Sequence, residues 1–206
     1  MTQDIPSATV ARLPRYLRCL SDMASLSPRC SSDQLAAAAG VTAAQVRKDL
    51  SYLGSHGTRG VGYEIDDLIG LIRKVLDMTR THPVIIVGAG NLGSALTNYK
   101  GFGTWGFEIV ALVDVDESKI GSRVDGLVVE SFHRVSEIVE EKQVEIAVLA
   151  TPPSSAQAAA DRLMDAGVKS ILNLAPVVLK TADDVSVRRV DLSTELGILA
   201  YHLSRP

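Results

Sequence analysis

The 206 residues, 46% hydrophobic and 22% charged with a net charge of −3, suit one large globular domain or two small ones. No apolar run approaches the roughly 20 residues of a membrane-spanning helix, and Asp4, Pro6 and Arg12 interrupt any leader-like stretch at the start. Cys19 and Cys30 lack C-x-x-C spacing and read as reduced thiols of a cytoplasmic protein, and the four dispersed histidines argue against a metal site.

Charge is unevenly divided. Residues 12–63 carry Arg12, Arg15, Arg18, Arg29, Arg47, Lys48 and Arg59 against Asp22, Asp33 and Asp49, a net of +4 that leaves −7 for the rest. A basic segment on an acidic body points to a polyanion partner for that segment alone. Leu13, Tyr16, Leu17, Leu20 and Met23 recur at helical spacing and predict an amphipathic helix, with Pro14 tolerated in its first turn. Ser31 or Ser32 is placed to cap a second, short helix through residues 34–39, which Gly40 ends. Thr42 starts a third helix, with Gln45 three residues on completing a capping box. The short Gly40-Val41 link is what a helix-turn-helix needs.

On a wheel of the third helix, Val46, Leu50 and Leu53 face the core. Ala44, Lys48, Ser51 and Ser55 lie opposite, flanked by Gln45, Arg47 and Tyr52. Such a face offers cations to phosphates and donors to base edges in a major groove; the plainer alternative is the solvated side of an ordinary helix. Residues 54–63 then pack four glycines around Arg59, the composition of a hairpin wing that can deliver a guanidinium to a minor groove. Helix-turn-helix plus wing favours a winged-helix DNA reader.

From residue 83 onward, strand-like runs near 84–87, 107–113, 126–130, 145–150, 168–173 and 185–190 alternate with helical runs near 91–101, 133–142, 154–166 and 193–203. That alternation predicts an α/β, doubly wound parallel sheet. Gly88-Ala89-Gly90-Asn91-Leu92-Gly93 follows the first strand directly and has the G-x-G-x-x-G form of a dinucleotide fingerprint. Gly88 suits a tight turn, Gly90 an approaching pyrophosphate and Gly93 close helix–strand packing, with helix N–H groups facing the phosphates. Asp114, 21 residues after Gly93, stands where an acid binds ribose hydroxyls and repels a 2′-phosphate, which favours NAD(H) over NADP(H). Thr151, Pro152 and the Asn173–Pro176 loop fall at the carboxyl edge where open sheets bind ligands.

No catalytic constellation is readable: Tyr99-Lys100 lacks the separation of a Tyr-x-x-x-Lys pair, and His133 stands alone. A dehydrogenase with a DNA-binding appendage and a nucleotide- or CoA-binding interaction protein therefore stay open beside a ligand-responsive DNA reader.

Several blocks carry a wider resemblance: Ala8 through Arg18, Thr42 through Tyr63, Gly88 through Tyr99, Asp114-Val115-Asp116, Ala166 through Pro176, and Val190-Asp191-Leu192. Together they resemble the Rex family of redox-sensing transcriptional repressors over nearly the whole chain. The resemblance implies a winged-helix domain over 1–80, a Rossmann-like NAD(H)-binding domain over 81–190, and a C-terminal helix over 191–206 exchanged between the subunits of a homodimer. It implies a palindromic operator bound when NADH is scarce and released when NADH binds, with NAD+ competing weakly and no turnover. The DNA set expected is Gln45, Arg47, Lys48, Ser51, Tyr52, Ser55 and Arg59. For the nucleotide, Tyr99, Thr151 and Pro152 join Gly88 through Gly93 and Asp114, while Arg18, Tyr99 and Asp191 match positions that couple the two functions. Leu53 and Leu174 stand where many relatives carry phenylalanine, and Leu192 where some carry an aromatic.

Overall fold

The computed structural model describes residues 5–55, 57, 58 and 61–203, and the chain divides into two compact units at residues 80 and 81. In the first unit, α1 (Ser7–Val10) leads into α2 (Leu13–Ala24), which buries Leu13, Tyr16, Leu17 and Leu20 along the stripe the spacing predicts. Each such burial is worth about 1.5–3 kcal/mol. After β1 (Arg29–Cys30), α3 (Ser32–Ala39) is closed by a full capping box: the Ser31 hydroxyl accepts from Gln34 N, and Gln34 Oε1 accepts from Ser31 N. Gly40, at φ 63°, ends α3 and turns the chain into α4 (Ala43–Tyr52).

The expected capping box at Thr42 forms only in part. Gln45 N does donate to Thr42 Oγ1 at 3.1 Å, but the Gln45 amide is engaged by Asp49 instead of reaching back. Val46 and Leu50 are fully buried as predicted, whereas Leu53 is half-buried and follows the last helical residue. The third fully buried position on α4 is Asp49.

Thr58 and Gly62 exchange backbone hydrogen bonds at 3.0 and 2.9 Å, closing a small hairpin base. Gly62 sits at φ 92°, where a Cβ would lie 2.4 Å from the Cys30 carbonyl oxygen, so only glycine fits. The following β2 (Tyr63–Glu64) pairs antiparallel with β1. A further helix, α5 (Ile65–Val75), for which no element is predicted from the sequence, buries Ile65, Leu68 and Ile72 and packs on α2.

The second unit comprises β3 (His82–Val87), α6 (Asn91–Thr97), α7 (Gly101–Thr104), β4 (Phe107–Asp114), β5 (Arg123–Val124) and β6 (Leu127–Ser131). A 3-10 turn (Phe132–Arg134), α8 (Val135–Glu141), β7 (Ile146–Leu149), α9 (Pro153–Asp165), β8 (Ser170–Asn173), β9 (Ser186–Arg189) and α10 (Leu192–Leu203) complete it. The sheet order is β5-β6-β4-β3-β7-β8-β9, parallel throughout except for the β5–β6 edge hairpin. Leaving β5 aside, that is the doubly wound order 3-2-1-4-5-6.

Strands begin or end one or two residues from the predicted bounds. The expected helix over 91–101 is broken: Asn98 Nδ2 bonds back to Ser94 O, and the Tyr99 ring folds over Gly101 where a Cβ would lie 2.4 Å away. One sheet face buries Ile85, Val87, Val113, Ala147 and Leu149 under α8 and α9. The other buries Val84, Ile86 and Leu112 and leaves Phe107, Ile109, Ile146 and Leu172 partly exposed.

Candidate functional site

The carboxyl ends of β3, β4 and β7 share a register that aligns Val87 with Val113 and Leu149, and they open onto a cleft of about 720 Å³. It forms where the chain leaves the neighbouring strands β3 and β7 toward opposite faces of the sheet, the switch point at which such folds hold ligands. Gly88, Gly90, Asn91, Leu92, Asp114, Thr151 and Pro152 line it; Ala89, Gly93 and Tyr99 do not.

The three glycines have different physical reasons. At Gly88, φ is 106° and a Cβ would lie 2.6 Å from the Ala150 carbonyl oxygen; at Gly93 it would lie 1.8 Å from that of Gly88. Both are demanded by the protein. A Cβ on Gly90 meets nothing within 4 Å, so glycine there is needed only by whatever enters the cleft. Beyond Gly90, the first intrahelical bond is Ser94 N to Gly90 O, leaving the first-turn N–H groups of α6 without helical acceptors.

Asp114 is nearly buried and largely occupied. Its Oδ2 accepts from Ala89 N at 2.7 Å and Lys119 Nζ at 3.1 Å, and its Oδ1 from Asp116 N at 2.9 Å. Burial alone would raise its pKa, but these donors outweigh it and hold the carboxyl below the usual range. Asp114 therefore ties the glycine turn to β4 and keeps room on Oδ1 for one more donor. With Asp116 and Lys119 it makes a rim of net charge −1. Among the described residues, Thr151 Oγ1 is buried without a hydrogen-bond partner, which costs about 1–3 kcal/mol until a ligand group supplies one. An apolar half of the cleft is formed by Val115, Phe132, Ala158 and Ala159, with the Arg162 guanidinium 5.0 Å over the Phe132 ring and donating to His133 O. The orphaned hydroxyl, the empty space above Gly90 and the apolar half fit a dinucleotide.

In the first unit, Ala44, Arg47, Lys48 and Ser51 are exposed along one side of α4, with Gln45, Tyr52 and Ser55 half-buried at its margins. Arg47 Nη1 donates to Ser32 Oγ, bridging the two helices of the turn, and the Ser51 hydroxyl donates to Lys48 O. Arg59 lies outside the described residues.

Behind that face sits a cluster that the sequence did not reveal. Asp49 Oδ1 accepts from Thr9 Oγ1 at 2.9 Å, Arg12 Nη2 at 2.7 Å and Gln45 Nε2 at 2.9 Å; Oδ2 accepts from Arg12 Nε at 2.7 Å and Tyr16 OH at 2.8 Å. Desolvation pushes the Asp49 pKa up, but the donors prevail and bring it to about 2. Burial and the same carboxylate push the Tyr16 phenol up. Asp49 thus ties α4 to α1 and α2.

Arg18 is exposed on α2 in the first unit. In the second, Tyr99 is exposed and edge-on to Phe102, while Asp191 caps α10 through Ser193 N and lies 3.8 Å from Arg189 Nη2. Lys119, Phe132 and Arg162 are cleft residues that sequence reading missed. Among the described residues, no three His, Cys, Asp or Glu side chains gather as metal ligands, and no helix is long and apolar enough to cross a membrane.

Residues 79–177 match the CoA binding domain family and residues 4–51 the family described as putative DNA-binding protein N-terminus. The redox-sensing transcriptional repressor Rex of Streptomyces avermitilis is 52% identical over 99% of this chain and 81% of its own length. The Rex-family repressor RSP in complex with NAD+ and operator DNA has a TM-score of 0.90 and 36% identity, covering 97% of this chain and 92% of that one. The same protein in complex with NADH gives a TM-score of 0.89 at 35% identity, over 97% of this chain and 94% of that one.

Proposed function

This chain belongs to the Rex family of redox-sensing transcriptional repressors, and we propose that it binds a palindromic operator as a homodimer and leaves it when NADH enters the cleft. The observation that carries this reading is one chain joining a helix-turn-helix with a cationic α4 face to a doubly wound sheet with a dinucleotide-shaped cleft. RSP, its structural relative, is known in complex with NAD+ and operator DNA and in complex with NADH.

In this reading, Gly88 through Gly93 cradle the pyrophosphate, Asp114 accepts a ribose hydroxyl on its remaining lone pair, and Thr151 with Pro152 closes the opposite wall. The negative rim at Asp114 and Asp116 disfavours a 2′-phosphate even with Lys119 between them. Gln45, Arg47, Lys48, Ser51 and Tyr52 meet DNA from α4, joined by Ser55 just beyond it and Arg59 of the wing, while Arg18, Tyr99 and Asp191 couple the nucleotide state to DNA. NADH brings the signal as a hydride and the loss of one ring charge. The titratable side chains lining the cleft are Asp114, Asp116, Lys119 and Arg162, and Lys119 bridges the two carboxylates, leaving the trio a net charge of −1. Sensing without turnover accords with the repressor role of the Rex relatives.

Homodimer formation draws support from α10, whose Leu192, Leu196, Ile198, Leu199 and Leu203 are all at least half exposed. A helix so apolar needs a partner surface, and exchange between subunits supplies one. A cytoplasmic location accords with an operator-bound repressor.

Reciprocity provides the test. If NADH weakens operator binding by some factor, operator DNA must weaken NADH binding by the same factor. Calorimetric titration of NADH with and without operator measures it, and equal NADH affinity in both states contradicts the proposal.

A further inference from the structure

Gln45 occupies the first turn of α4, at the boundary between its exposed and buried sides. In a helix-turn-helix this is the turn whose side chains reach base edges. Its Nε2 donates to Asp49 Oδ1 at 2.9 Å, one helical turn away. We propose that Asp49 sets the polarity of the Gln45 amide, so that Gln45 presents its carbonyl Oε1 to DNA and selects a base carrying an exocyclic amino group. The inference rests on the reading of α4 as the DNA-reading helix.

An amide can flip, and either orientation usually finds partners. Here the flip is blocked. Asp49 is fully buried, and every group around its carboxylate donates: the Thr9 hydroxyl, the Arg12 guanidinium twice and the Tyr16 phenol. The two-point pairing with Arg12 keeps the carboxylate ionised and therefore an acceptor only. Turning Oε1 inward would set oxygen against this anion and remove one of the three donors to Oδ1. The Gln45 backbone is fixed as well, through its N–H to Thr42 Oγ1. What remains outward is the Oε1 acceptor, with the second Nε2 hydrogen beside it. In the major groove adenine N6 and cytosine N4 are amino donors, whereas guanine O6 and thymine O4 are acceptors that Oε1 would oppose. Asp49 is thus a positioning residue, acting through Gln45.

The test is operator affinity of the full-length protein measured with each half-site position set to all four bases. One position per half-site should favour adenine or cytosine over guanine or thymine by about 3- to 10-fold, the worth of one hydrogen bond. Gln45→Ala should erase that preference at that position alone, and Asp49→Asn, confirmed folded by circular dichroism, should weaken it while other positions keep theirs. Replacing the preferred base by its analogue without the amino group, purine or 2-pyrimidinone, should lower wild-type affinity by the same factor and leave Gln45→Ala unchanged. This arm stands even if Asp49→Asn fails to fold. No amino preference, an analogue without effect on the wild type, or a preference intact in folded Asp49→Asn overturns the inference. Lys48→Ala separates the underlying reading: if it leaves operator affinity unchanged, α4 is not the reading helix, and that reading fails instead.

Discussion

Removing the Asp49 carboxylate strands several groups at once, and the cost can be worked from their burial. In Asp49→Ala, the Tyr16 hydroxyl (residue 0% exposed) and the Thr9 hydroxyl (2% exposed) lose their acceptor with no route to water. Each such group costs about 1–3 kcal/mol. Arg12 is milder, because its side chain is 26% exposed and can rehydrate in part. The two hydroxyls sum to about 2–6 kcal/mol, which spans the roughly 3–5 kcal/mol found when one partner of a buried pair is removed. Against a typical stability of about 5–15 kcal/mol, such a loss detaches α4 from α1 and α2 without unfolding the second unit. Hydrogen exchange read by mass spectrometry on the full chain resolves this segment by segment. Protection of α2 and α4 amides should fall by about 100- to 5,000-fold, while β3 and β7 keep wild-type rates. Fluorescence of Trp105, the single tryptophan and a resident of the second unit, gives an independent control. If α4 amides exchange within about threefold of wild type, the cluster does not hold the helix and the reasoning fails.

Acid should act through the same carboxylate. The Asp49 pKa is about 2 folded against 3.8 ordinarily, so its stabilisation is complete above pH 3.8 and lost as pH falls through 2. Between pH 6 and 2 the wild type should lose about 2 kcal/mol more stability than Asp49→Asn; parallel pH profiles would refute this. In the cleft, Gly90→Val should fold normally, since its Cβ meets no protein atom, and yield a repressor blind to NADH; a normal NADH response makes the turn structural only. Gly93→Ala should lose NADH binding by displacing the turn itself, visible as a lowered thermal midpoint of the second unit, because its Cβ would lie 1.8 Å from a carbonyl oxygen. Lys48→Ala should weaken all operators alike and reduce the salt dependence of binding by about one phosphate contact; an unchanged salt slope would remove Lys48 from the phosphate set.

What was legible in the sequence was periodic or locally spaced. The α2 stripe, the Gly88–Gly93 turn and the alternation of the sheet each follow from a repeat that a short window contains. The helix α5 is obscured in the sequence although Ile65, Leu68 and Ile72 have helical spacing, because Gly70 interrupts its middle and a glycine-rich turn precedes it. Capping boxes show where local reading stops. Ser31 with Gln34 and Thr42 with Gln45 present the same pattern, yet only the first closes, since Asp49 competes for the Gln45 amide. Asp49 draws its other partners from 33 to 40 residues earlier in the chain, a distance no helical wheel spans. The cleft repeats the lesson: its glycines are contiguous and readable, whereas Lys119 and Arg162 arrive from separate segments after the sheet has formed.

That the cleft reports redox state to DNA is the central claim. Operator occupancy, followed by fluorescence anisotropy at constant total nucleotide while the NADH/NAD+ ratio is raised, measures that claim directly. The protein should hold its operator in NAD+ and release it as NADH grows to a minor fraction of the pool. An occupancy that stays level across the whole range of ratios would contradict it.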